Sequence, residues 1–144
     1  MVLSKSDLLP LCWGSLVLAG AGCGKAASSL APVQGKVIFD GKALTAGTVI
    51  FYPAADKGNH SLEEPRGKID GQGNYKVLTG IKQGVTPGWY KIAVTAAKQL
   101  DPKNPYFTEW LIPQKYIDYR TSKLAVEVVA NPEPGRYDLK LDAR

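Results

Sequence analysis

Histidine, cysteine and methionine are nearly missing from this chain, with one His, two Cys and one Met among 144 residues. The lone histidine, His60, leaves little room for hydrolytic chemistry. A Ser-His-Asp arrangement needs an imidazole held beside a nucleophile, and no G-x-S-x-G turn or comparable motif supplies that pairing. Zinc sites take three or four protein ligands, whereas His60-Ser61-Leu62-Glu63 offers only an H-x-x-E half. The expectation is a non-enzyme with no catalytic residue, no metal and no cofactor. Blocks of like charge are missing too. The formal charge is +5, but the basic residues are spread singly. They read as a solvated surface, with contact to anionic lipid head groups or acidic polymers as the alternative. No basic stripe or reader motif is present, so nucleic acid is not an expected partner. No segment carries a sustained helical period, which argues against a helical bundle.

Turn chemistry, by contrast, is abundant. The 15 Gly and 10 Pro are distributed between apolar runs, a pattern that favours short strands and many turns. The length suits one domain.

The N-terminus reads differently from the rest. Leu8 to Gly22 is LLPLCWGSLVLAGAG, apolar and uncharged. It is short for a permanent membrane-spanning helix, which needs about 20 apolar residues, and it fits the apolar region of an export signal. The run Leu18-Ala19-Gly20-Ala21-Gly22-Cys23 resembles a bacterial lipobox, in which small residues precede a Cys that is acylated on sulfur before cleavage. Ala21 and Gly22 match that pattern; Gly20 stands where it has Leu or another aliphatic residue. The resemblance implies that residues 1–22 are a lipoprotein signal peptide, that Cys23 is the lipid-bearing first residue, and that membrane lipid is a partner. Residues 23–32 then form a lipidated tether. Gly24, where an Asp would imply inner-membrane retention, points to a lipid-anchored place in the cell envelope at the outer membrane. Cys12 would leave with the signal, so no internal disulfide is expected. The alternatives are a secretory signal cut elsewhere, with Cys23 a stray thiol, and a single membrane-spanning anchor.

From Val33 onward the apolar residues alternate, and a period of two means strands. Val33, Val37 and Phe39 share a face before an Asp40-Gly41 turn. Gly47 to Pro53 is apolar on both faces and is predicted to be central. Pro65 to Asp70 and Tyr75 to Leu78 flank the turn Gly71-Gln72-Gly73-Asn74. Trp89 to Ala96 points Tyr90, Ile92 and Val94 inward. Lys123 to Ala130 does the same with Leu124, Val126 and Val128, and Arg136 to Asp142 with Tyr137, Leu139 and Leu141. The prediction is an all-β domain over residues 33–144, a seven-stranded antiparallel β-sandwich of the immunoglobulin-like kind.

A family resemblance runs along the same residues. It is carried by Gly35-Lys36-Val37, Asp40 to Leu44, Gly47 to Pro53, Asp70 to Tyr75, and Pro87 to Ile92. In order and spacing these pieces resemble a carboxypeptidase regulatory-like domain. Ile112 to Tyr116 with Thr121 to Leu124 resembles small bacterial lipoproteins that carry it. The resemblance implies a transthyretin-like sandwich and no activity. Tyr119-Arg120-Thr121-Ser122 is similar to the terminal tetrapeptide of transthyretin-like ureide hydrolases, but it has Thr in place of Gly and lacks the partner histidines, so that activity is not carried over.

Two segments remain. Asp70 to Asn74 lacks the further acidic ligands of a calcium loop and reads as a hairpin turn. Ala97 to Ser122 reads as a long loop rich in aromatics, among them Tyr106, Phe107, Trp110 and Tyr116. Loops of this length are usually functional or disordered. These rings are the candidate ligand-binding residues for a carbohydrate or peptide; alternatively they pack over a sandwich edge. The expected function is a non-catalytic structural or adhesive module whose partner is an envelope protein or polysaccharide.

Overall fold

A computed structural model describes residues 29–144; the signal-like segment, Cys23 and the tether up to residue 28 lie outside the described residues. The described chain is all-β. Its strands are β1 (Gln34–Phe39), β2 (Lys42–Ala43), β3 (Thr48–Pro53), β4 (Arg66–Lys68), β5 (Asn74–Lys76), β6 (Leu78–Thr79), β7 (Lys82–Gln83), β8 (Gly88–Thr95), β9 (Ala97–Asp101), β10 (Asn104–Trp110), β11 (Leu124–Val128) and β12 (Leu139–Leu141). Single 3-10 turns at Ala55–Lys57 and Gln114–Tyr116 are the helical pieces among the described residues.

The largest sheet runs β11-β8-β3-β4-β6-β7 and is antiparallel throughout. Its centre is the β3–β8 ladder, with Thr48 opposite Thr95 and Pro53 opposite Tyr90. Val49, Phe51, Ile92 and Val94 on this ladder are fully buried, each contributing about 1.5–3 kcal/mol of apolar burial. A second sheet is organised around β1. It pairs antiparallel with β5 over Gln34–Lys36 and with β2 over Ile38–Phe39. Asp40 and Gly41 join β1 to β2 with φ of 49° and 81°, the positive values that a two-residue hairpin turn of this kind requires. Gly73 (φ 85°) fills the junction between β2 and β5. A Cβ there would lie 3.0 Å from Ala43 Cβ and 3.2 Å from the Val37 carbonyl oxygen. Both sheets feed one core, in which Val37, Tyr75, Leu139 and Leu141 meet Phe51, Tyr90, Ile92 and Val128.

The structure corrects three expectations. The pairing is not wholly antiparallel, because β12 runs parallel to β1, with Val37 opposite Leu139 and Phe39 opposite Leu141. The chain traverses the larger sheet between these two strands, and that traverse supplies the long connection a parallel pair needs. The last strand is also shorter than expected. Residues 135–138 turn instead of extending, with the Arg136 N–H donating to the Glu133 carbonyl at 3.2 Å and the Asp138 N–H to that of Gly135 at 3.1 Å. Finally, the described residues form twelve strands where seven were expected. β2, β6 and β7 are two-residue arms of tight hairpins, and the expected loop 97–122 contains β9 and β10.

A buried tyrosine relay ties the pieces together. Tyr75 Oη donates to the Tyr137 carbonyl at 2.5 Å, and Tyr137 Oη accepts the Val129 N–H at 3.1 Å. Burial pushes the Tyr75 hydroxyl above its ordinary pKa of 10.0. Tyr75→Phe leaves the Tyr137 carbonyl without this side-chain donor. The expected cost is about 1–3 kcal/mol, read as a lower urea midpoint. The pH dependence follows from the raised pKa. A phenol titrating higher when folded contributes fully below about pH 10 and loses that contribution as pH rises toward the folded value. Alkaline destabilisation is therefore expected to be weaker in Tyr75→Phe than in the parent protein.

Candidate functional site

The segment Ala97–Ser122 splits into two halves with opposite fates. The first half is a projecting hairpin of β9 and β10. Trp110 lies opposite Ala97, Glu109 opposite Lys98, Thr108 opposite Gln99 and Asn104 opposite Asp101, with an irregularity between Asn104 and Thr108. Short polar side chains shape the tip. Asp101 Oδ1 accepts the Lys103 N–H at 2.8 Å, and Asn104 Oδ1 accepts the Tyr106 N–H at 3.1 Å. The base is fixed in the body, where the Leu111 N–H donates to the carbonyl of buried Ala96 at 2.9 Å. The hairpin thus prolongs β8 beyond the core, and every residue of β9 and β10 is exposed.

An isolated two-stranded hairpin is marginal in water. This one pairs with no third strand among the described residues, so its two outer edges present free backbone groups. It also carries the largest concentration of exposed apolar rings: Tyr106 is 92% exposed, Phe107 60% and Trp110 44%, with Leu100 at 48%. Strand alternation distributes them. Trp110 shares a face with Thr108 and Gln99 and Glu109 shares the other with Lys98, while Tyr106 and Phe107 fall in the irregularity between Asn104 and Thr108.

The second half packs down. Ile112 is buried, Ser122 Oγ donates to the Ile92 carbonyl at 2.5 Å, and Tyr119 stacks on Tyr52 with ring centroids 4.5 Å apart. Tyr116, grouped by the sequence with the other rings, belongs to this half. It is 4% exposed within the core, and its hydroxyl accepts the Asp142 N–H at 3.0 Å. The 3-10 turn that carries it turns the ring inward, so Tyr116 leaves the exposed set. Leu100 joins that set, although alternation in a solvated strand gave no signal for it.

Elsewhere the polar groups hold backbone. Asp70 Oδ1 accepts the Gln72 and Asn74 N–H groups at 2.8 and 3.0 Å, which lowers the carboxyl pKa from its ordinary 3.8 and confirms a hairpin turn. An open groove of about 730 Å³ beside β1 is lined by Lys36, Lys76, Glu133 and Asp138 among others. Asp138 there accepts the Lys36 N–H at 2.9 Å. Asp118 and Asp142 are held below the usual carboxylate range, chiefly by hydrogen bonds from Arg120 and Lys115 respectively. Among the described residues no His, Cys, Asp and Glu grouping could hold a metal, and no helix is long and apolar enough to cross a membrane. His60 and Glu63 occupy the loop between β3 and β4. Cys23 lies outside the described residues. The chain matches no family model, no curated protein and no solved structure.

The split makes a direct prediction. Tyr116→Ala should lose about 3–5 kcal/mol of stability, as a buried aromatic truncation does. Tyr106→Ala should stay within about 0.5 kcal/mol of the parent. Urea denaturation of both variants checks this.

Proposed function

We propose that this protein is a lipid-anchored, non-catalytic envelope module that presents the β9–β10 hairpin to a protein partner. The observation that carries the reading is the hairpin itself, with exposed aromatics, two free edges and a base rooted in buried Ala96. A strand edge flanked by apolar side chains suits addition of an extended segment, in which main-chain hydrogen bonds give affinity and side chains give specificity. A carbohydrate ligand is the second reading, and the exposed rings favour it, but the unpaired edges of the two-stranded hairpin suit strand addition better.

The sequence supports the anchor through the lipobox-like run ending at Cys23. Two acyl chains would hold firmly where one would not, at roughly 0.8 kcal/mol per buried methylene. The two sheets sharing one core support a sandwich of the transthyretin-like kind for the body, and the outer membrane is the proposed location.

Intact mass of the protein extracted from membranes tests the anchor. The expected chain begins at Cys23 and carries acyl mass, and Cys23→Ser abolishes both the mass and membrane fractionation. A soluble product with an unmodified thiol overturns the reading. For the hairpin, a photo-crosslinker at Tyr106 in intact cells is expected to give a protein adduct of discrete mass that weakens with Trp110→Ala. Glycan-array binding that vanishes with Trp110→Ala would transfer the reading to a carbohydrate.

A further inference from the structure

Leu62 and Ile81 are the most exposed aliphatic side chains described, at 99% and 97%. They are far apart in sequence, but the register brings them to one end of the larger sheet. β3 ends at Pro53, opposite Tyr90 near the start of β8. The loop that follows carries Leu62 and is fastened there, with Ala54 N–H and Asn59 Nδ2 both donating to the Trp89 carbonyl at 3.0 and 2.8 Å. β6 runs antiparallel to β4 from the Arg66–Leu78 pair. Its hairpin with β7, in which Thr79 faces Lys82, therefore points Gly80 and Ile81 toward the same end.

The chain itself enters beside the Ile81 hairpin. Ala31 and Val85 exchange both backbone hydrogen bonds at 2.8 Å, and the antiparallel bridge directs Leu30 and Ser29 along Thr86 and Pro87 toward Gly88. A Cβ on Gly84 would stand 2.9 Å from Leu30 Cβ, and Ile81 is only three residues from Gly84. Cys23 is six residues before Ser29, a span of at most roughly 20–22 Å. The β9–β10 hairpin leaves from the opposite, Thr95 end of β8.

We infer that the Ile81 hairpin tip and the Leu62 loop tip rest in the surface of the bilayer that holds Cys23, which stands the domain on its Gly88 end. This rests on the proposed lipidation of Cys23. An aliphatic side chain at each tip gains free energy by leaving water. Lys82, next to Ile81 and in no ion pair among the described residues, adds attraction for anionic head groups. The acidic groups of the Leu62 loop region are largely matched, Asp56 by Lys91 at 3.1 Å and Glu64 by Arg66 at 3.4 Å. Glu63 is the acidic residue beside Leu62 that no ion pair matches among the described residues. The occupant of this end is a lipid surface.

The test uses full-length protein processed in cells, purified from membranes and placed in phosphatidylethanolamine–phosphatidylglycerol vesicles. Ile81→Cys, Leu62→Cys and Tyr106→Cys are each labelled with an environment-sensitive dye, and intact mass is measured on the same samples. Expected are a blue shift and quenching by head-group nitroxide lipid at positions 81 and 62, and neither at 106. All three substitutions are at exposed positions, so the fold is preserved. Acylated Cys23 with water-exposed dyes at 81 and 62 overturns the inference and leaves the anchor standing. A bare Cys23 thiol overturns the anchor, and the inference with it. A dye at 81 that is shielded but not quenched by nitroxide lipid means a protein covers the tip, which also overturns the inference.

Discussion

The β3–β8 ladder is the interaction on which the rest of the molecule depends. It pairs the chain from Thr48 to Pro53 with Tyr90 to Thr95 and buries Val49, Phe51, Ile92 and Val94 completely. Ile50 and Ala93 extend the burial to part of the second face. Every other element of the larger sheet is added outward from this pair. The smaller sheet meets its inner face through the shared core. Because the ladder is continuous over its whole length, its two ends are well defined, and the peripheral features sort to one end or the other.

What could be read from the sequence follows from burial. Alternation marks strands only where one face is dry and the other wet. β1, β8 and β11 show alternation, β3 is marked instead by an apolar run on both faces, and their expected spans agree with the observed ones to within about two residues. β9 and β10 show neither, because both of their faces are wet, so Ala97–Trp110 looked like a loop. Parallel pairing of β12 with β1 left no local mark, since register and direction between strands so far apart in the chain are tertiary facts. The aromatics show the same limit. Trp110 and Tyr116 are six residues apart, and composition treats them alike. One remains on a solvated strand while the other is turned into the core by a single 3-10 turn.

The polar groups of the body work on the backbone. Tyr75, Tyr90 and Ser122 donate to carbonyls, Tyr137 and Tyr116 accept N–H groups, and Asp70 and Asp138 cap turns or strands. No buried side-chain nitrogen or oxygen among the described residues lacks a partner. Catalytic groups typically stand out because their environment leaves them perturbed and available in a cleft. Here the group raised furthest from its ordinary value is Tyr75, and its hydroxyl is already bonded to a carbonyl. Its perturbation comes from burial and serves packing.

The two ends of the ladder give the proposed reading a direction. Two exposed aliphatic tips lie toward the Gly88 end, and the described chain enters beside Val85. At the Thr95 end β8 continues straight into the exposed hairpin. From Gly88 to the hairpin tip the chain rises through fifteen residues of nearly continuous strand, on the order of 45–50 Å. If Cys23 is lipidated as proposed, the six residues that separate it from Ser29 could not lift the hairpin that far from a membrane by themselves, because six residues extend at most roughly 20–22 Å. The stiff ladder supplies reach where a longer flexible linker would only supply freedom. On the proposed reading, a short tether and a rigid strand pair act together: one fixes which end stays near the lipid, and the other carries the aromatic ribbon to where a partner can add to its edge.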